Sequence, residues 1–144
     1  MPSLKKQTEN AVYDALDVVN VRTLAVNGIW LNIAGEAVKD YPFVVFGWLA
    51  FGENQYTFQF GSKTENGIFL IKAYSDENSD PLSSASEYND EILEACETEL
   101  YNGLPLETGK VLYFRRQRHT PDIQDSFGGR QGLGSGRTYR VYME

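Results

Sequence analysis

Between residues 41 and 49 the chain reads Tyr41-Pro42-Phe43-Val44-Val45-Phe46-Gly47-Trp48-Leu49, apolar at nearly every position. A strand with one wet face alternates apolar and polar residues, so a run without that alternation predicts a strand covered on both sides. Pro42 is tolerated because it stands at the entry, where its missing N–H costs no ladder bond. The run therefore calls for a layered domain built around a central strand. The 144 residues suffice for one such core, burying roughly two-thirds of the unfolded surface, with no room for a second full domain.

The periodicities on either side supply the other layers. Leu4, Ala11, Val12, Ala15, Leu16 and Val19 recur at helical spacings behind Ser3, a candidate N-cap, which predicts a helix over 4–17. After Asn27-Gly28, Ile29, Leu31 and Ile33 alternate with Trp30 and Asn32, a short strand ending at Gly35. Residues 55–60 alternate strictly, 61–67 turn, and 67–74 return as an apolar strand, which reads as a hairpin. Ser84 followed by Glu87 is a capping-box pattern that opens a helix running to about Tyr101, where Asn102-Gly103 stops it. Ala85, Tyr88, Ile92, Leu93, Ala95, Cys96 and Leu100 share one sector of that helix, and Glu87, Asp90, Glu91, Glu94 and Glu97 the opposite one; only Glu99 breaks the apolar face. Residues 110–118 and 137–143 read as two closing strands. Between them, glycines at 128, 129, 132, 134 and 136 predict a mobile loop over about 126–136, since glycine loses the most backbone freedom on ordering. The expected fold is a single α+β domain over 1–144, a mostly antiparallel sheet with two helices packed on one face.

Composition removes several functional classes. A formal charge of −7 argues against generic duplex-DNA or anionic-membrane binding. No apolar run approaches the roughly 18 to 20 residues that span a bilayer, and the first ten residues lack the apolar core of a signal peptide. One cysteine forms no intrachain disulfide, and one histidine leaves the usual metal sites short of ligands, so neither a metal nor a cofactor is expected. Gly132-Leu133-Gly134-Ser135-Gly136 resembles a phosphate cradle in composition but leads into a strand, where a cradle needs a helix N-terminus. Cys96 sits on an apolar helix face, the usual place of a small buried hydrophobe. His119 follows three nearby arginines whose charge disfavours the imidazolium, as a general base needs; the plainer reading is a surface histidine at a strand end. The helix carboxylates lie on the solvent side with no apolar pocket to raise a pKa. No catalytic residue is expected.

The charge distribution says more. Residues 76–107 hold ten acidic side chains and no Lys or Arg, whereas residues 110–140 hold seven basic and two acidic ones. Both patches can be solvated or pair within one chain, each exposed pair then contributing about 0–1 kcal/mol. Alternatively, opposite patches meet on identical neighbours, a heterologous contact that closes into a ring when the rotation per subunit divides a full turn. As a third reading, Arg115, Arg116 and Arg118 with Tyr113 and Phe114 form a stacking and phosphate-binding surface for a single-stranded nucleic acid.

The order of these pieces resembles a known family, the tail-completion or tail terminator (tail-to-head joining) proteins of long-tailed bacteriophages. The resemblance rests on Ala11-Val12-Tyr13-Asp14-Ala15-Leu16, the Asn27-Gly28-Ile29-Trp30 step, and above all Tyr41-Pro42-Phe43-Val44-Val45-Phe46-Gly47. It continues through Gly67-Ile68-Phe69-Leu70-Ile71-Lys72-Ala73-Tyr74-Ser75, the helix over 87–100, Val111-Leu112-Tyr113-Phe114 and Arg137-Thr138-Tyr139-Arg140-Val141. It implies a non-catalytic virion protein of the tail and neck, made in the host bacterial cytoplasm. Such a protein assembles as a ring, expected to be a hexamer, on the finished tail tube and presents the docking surface for the neck of the DNA-filled head. The implied partners are further copies of itself, the tail tube protein and a neck or head-completion protein. No membrane and no specific nucleic acid is implied, beyond DNA passing through the ring. On that reading Glu87, Glu91 and Glu94 face Arg115, Arg116, Arg118 or Arg140 of the adjacent subunit, around apolar contacts between sheet edges. Tyr56, Phe58 and Phe60, with Phe127 and Arg130, anchor to tube or neck, since aromatics dominate interface hot spots; period-2 logic alone would turn the three hairpin aromatics to the core. A head-completion adaptor built from the same materials is the nearest alternative.

Overall fold

Ser3 Oγ accepts the Lys6 amide at 3.2 Å and opens α1 (Leu4–Leu16), whose Val12 and Leu16 are fully buried. The computed structural model describes residues 3–32, 40–57, 64–79, 84–106, 108–127 and 130–143. After α1 come α2 (Val19–Arg22), β1 (Ile29–Leu31), β2 (Phe43–Thr57), β3 (Thr64–Ser75), α3 (Ala85–Leu100), β4 (Leu104–Pro105), β5 (Val111–Phe127) and β6 (Arg130–Met143). The strands form one six-stranded sheet in the order β1-β2-β3-β6-β5-β4. β1 runs parallel to β2 and the other neighbours are antiparallel, so the sheet is mixed and the fold is α+β. α1 touches both β1 and β4, the outermost strands, because the sheet curves around the helical layer.

Alternation along the strands sorts side chains between two unlike faces. Val44 and Phe46 on β2, Phe69, Ile71 and Ala73 on β3, and Tyr139 and Val141 on β6 point to the helices, joining Val12, Leu16, Val21, Ile92, Leu93, Cys96 and Leu100 in the main core. The other face carries no helix among the described residues; a small cluster of Tyr41 and Phe43, packed on Trp30, Val45 and Tyr74, lies there instead. The rings of Tyr41 and Phe43 stack at 5.7 Å and those of Phe43 and Tyr74 at 4.9 Å.

That cluster accounts for the glycines of β6. Gly132 and Gly134 fall on its face, and a Cβ at Gly134 would stand 2.7 Å from Cε1 of Tyr74, closer than side chains approach. Glycine lets the rings lie flat against the strand. The mobile loop expected over 126–136 is thus corrected: residues 126 and 127 end β5, residues 130–136 begin β6, and Gly134 pairs with both Ile123 and Tyr74. The composition was read as backbone freedom where it serves close approach.

Other expectations need smaller corrections. The first helix stops at Leu16, and Val19 belongs to α2 and is 75% exposed. The run at 41–49 is not the sheet's centre, which is the β3–β6 pair; it joins the strand expected at 55–60 as one long β2, irregular between Trp48 and Ala50 and between Phe51 and Tyr56. Both faces of its first half are covered as expected, whereas Leu49 is exposed. A third, four-residue helix joins the two expected. Residues 33–39 and 58–63, which contain the expected end of the first strand and the start of the hairpin turn, lie outside the described residues, whereas residues 64–67, expected in the turn, begin β3.

Candidate functional site

Ser84 caps α3 as its sequence predicts, accepting the Glu87 amide at 3.2 Å and donating its hydroxyl to Glu87 Oε1 at 3.0 Å. With that start fixed, Asp90, Glu94 and Glu97 run down one flank of the helix toward the sheet. Beneath them lies Arg137 of β6, its side chain only 2% exposed. Its Nη2 stands 2.9 Å from both Asp90 Oδ1 and Glu94 Oε2, and its Nη1 is 3.4 Å from Glu97 Oε1. Glu97 also accepts the Tyr139 hydroxyl at 2.9 Å and meets Arg116 Nε at 3.5 Å. Burial works against the Arg137 charge, but hydrogen bonds to Glu94 and Asp90 outweigh it and hold the guanidinium above its ordinary pKa. Burial, with the Glu97 charge, pushes the Tyr139 phenol up.

A second hydrogen-bond network ties the other end of α3 to the glycine-rich arm. Buried Asn89 accepts the Ser75 hydroxyl at 2.6 Å and donates Nδ2 to the Leu133 carbonyl at 2.9 Å and to Ser135 Oγ at 3.1 Å. Ser135 donates to Asp122 Oδ1 at 2.7 Å, and Ser86 to Asp122 Oδ2 at 2.8 Å. A cleft of about 260 Å³ opens beside these groups, with His119 on its wall. His119 is exposed within β5, not at a strand end. Cys96 is fully buried, and burial, opposed by Arg137 and reinforced by Glu99, pushes its thiol up to about 12. Among the described residues no three His, Cys, Asp or Glu side chains are grouped to hold a metal ion, and no helix is long and apolar enough to cross a membrane.

The basic residues of β5 divide between the sheet faces. Arg116 opposes Tyr139 and turns to Glu97, and Phe114 packs edge-on against Phe69 and Tyr139 in the core. Arg115 opposes Arg140 on the helix-free face. A bulge sets both Gln117 and Arg118 against Thr138, with Thr138 Oγ1 3.4 Å from Gln117 Oε1, so Arg118 stays on the face of Arg115. Lys72 shares that face, its Nζ 5.3 Å from the Tyr74 ring centre. Among the described residues neither Arg115 nor Arg118 meets a carboxylate, whereas Arg137 meets three.

The expected site residues are thus split. Glu94 and Arg116 are engaged inside the chain, Glu87 caps its own helix, and Glu91 is exposed on the outer side of α3. Tyr56 opposes Glu65 in the β2–β3 ladder, and Phe127 opposes Arg130 at the end of the β5–β6 ladder; Phe58 and Phe60 lie outside the described residues. Sequence reading missed Arg137, Asn89 and Asp122. The signal for Arg137 was present: it alternates in phase with Tyr139 and Val141, which places a cation on an apolar face. No protein-family model matches this chain, and no curated protein matches it either.

Proposed function

We propose that this chain is a ring-forming structural protein of a phage tail, a tail terminator that caps the tube and offers the joining surface to the neck. The observation that carries this reading is the segregation of charge onto opposite sides of one two-layer domain: an acidic outer face on α3 and a basic strip on the helix-free sheet face. Surfaces of opposite sign that cannot reach one another in one chain favour a head-to-tail contact between copies, and such a contact closes into a ring when the rotation per subunit divides a full turn. The tail-terminator identity, the hexamer, and the tube and neck as partners are what the resemblance to that family implies. The role is structural, with no reaction to perform, and its place is the virion.

Negative-stain images of the purified protein, with and without tail tubes, test the reading. Rings of constant diameter seated on tube ends support it; bare tube ends and no rings contradict it. A head-completion adaptor would cross-link to the portal side and not to the tube protein. The single-stranded nucleic-acid reading retains Arg115, Arg118 and Tyr113 on one sheet face but loses Arg116 and Phe114, which face the helices.

A further inference from the structure

The helix-free face sets Arg115 directly across from Arg140, with Arg118 and Lys72 nearby. Among the described residues neither Arg115 nor Arg118 meets a carboxylate, so this strip gains from an anionic cover. Around the cations lie half-buried apolar side chains, Ile68, Leu70, Tyr113 and Tyr142, a sheet surface without a layer over it among the described residues. On α3 the opposite composition occurs. At 100° per residue Glu87, Glu91, Glu94, Thr98 and Tyr101 fall within an arc of about 80°, and all five are exposed, Tyr101 at 82%. An exposed aromatic at the end of an acidic stripe matches apolar surface bordering a basic one. The lengths match as well: about 21 Å from Glu87 to Tyr101 along a helix, and about 17 Å from Arg118 to Tyr113 along a strand.

We infer that the outer stripe of α3 seats on the helix-free sheet face of a second copy of this chain, making the neighbour's helix the missing third layer. This deepens the ring reading and rests on it. Glu91 lies over Arg118 and Arg115, and Tyr101 packs on Tyr113 and Tyr142. Arg116 takes no part, because it is turned to its own Glu97. The two surfaces lie on opposite sides of the sheet, so no chain satisfies itself and each copy has one donor face and one acceptor face left to extend the assembly.

Sedimentation velocity at low salt tests this with Glu91→Arg and Arg118→Glu, both exposed positions whose folding is checked by thermal melts. Each variant alone is expected to lose self-association at least tenfold. An equimolar mixture of the two is expected to recover it, since every contact between unlike variants then joins an acid to a base, and Arg116→Gln is expected to associate like the unaltered chain. If the unaltered chain forms rings but the mixture stays monomeric, the contact is wrong while the ring reading stands. If the unaltered chain remains monomeric at every concentration and on tube ends, both fall. Tight binding of a single-stranded oligonucleotide that Arg118→Glu abolishes, with no self-association, would overturn the inference in favour of a nucleic-acid surface.

Discussion

Arg116 and Arg118 stand two positions apart on one strand, yet a single bulge sends them to opposite sides of the sheet. The covered face treats cations as parts of the fold: Arg137 is buried under three carboxylates, and Arg116 joins the edge of the same group. The helix-free face collects cations and gives Arg115 and Arg118 no acid among the described residues. Charge counted along the chain does not separate the two roles. The face on which a side chain lies does, and it divides the basic segment into residues that hold the chain together and residues that are left for something outside it.

The largest expected effect comes from the covered side. Arg137→Ala removes a buried cation and leaves Asp90, Glu94 and Glu97 to repel one another. Removing one partner of a fully buried pair costs about 3–5 kcal/mol. Here Asp90 and Glu94 are 63% and 65% exposed and can rehydrate, so a loss of about 2–3 kcal/mol in urea unfolding is expected. A loss under 0.5 kcal/mol, the scatter of ordinary surface substitutions, would erase the contrast between the faces. Asn89→Ala should follow at about 2 kcal/mol, because it removes the hydrogen bonds that Asn89 makes in a buried place with the Leu133 carbonyl and the Ser75 and Ser135 hydroxyls. Hydrogen exchange should then rise in residues 130–135 before the rest of β6.

A smaller effect concerns alkaline pH. The Cys96 thiol moves from an ordinary 9.0 to about 12 on folding, chiefly by burial. A proton held more tightly in the folded state gives stability that is complete below pH 9 and declines as pH climbs from 9 toward 12. Tyr139, raised by burial and by Glu97, acts in the same direction above pH 10. Cys96→Ala should flatten the first part of that decline, and the native thiol should resist disulfide reagents at pH 8 until the chain unfolds. The smallest effect is expected on the helix-free side, where Arg115→Ala and Arg118→Ala should shift monomer stability by less than about 0.5 kcal/mol. Arg115→Ala should tend to stabilise, since it relieves the opposition to Arg140.

Much of this architecture was legible in advance because it rests on local physics. The caps Ser3 and Ser84, the apolar sector of α3 and the apolar run at 67–74 each specify their element without help from the rest of the chain. What was not legible depended on neighbours distant in sequence. Gly134 reads as a loop residue until Tyr74 is seen lying across it, some sixty positions away. The bulge at Gln117 is invisible until the β6 register is known, and without it Arg116 and Arg118 look like one patch. Glu94 looks like a solvent residue on the helix wheel, because its partner Arg137 comes from a strand whose inward phase only Tyr139 and Val141 betray.

The central claim is that charges paired on the covered face, Glu94 among them, serve the fold, while Glu91 on α3's outer stripe and the cations of the helix-free sheet face join copies. Two variants that each add one surface cysteine, Glu91→Cys and Arg118→Cys, test it most directly, since buried Cys96 stays out of exchange. Mixed and mildly oxidised, they are predicted to give a disulfide-linked heterodimer well above either homodimer. A heterodimer at no more than the statistical twofold excess over either homodimer, or no dimer at all, would contradict the account.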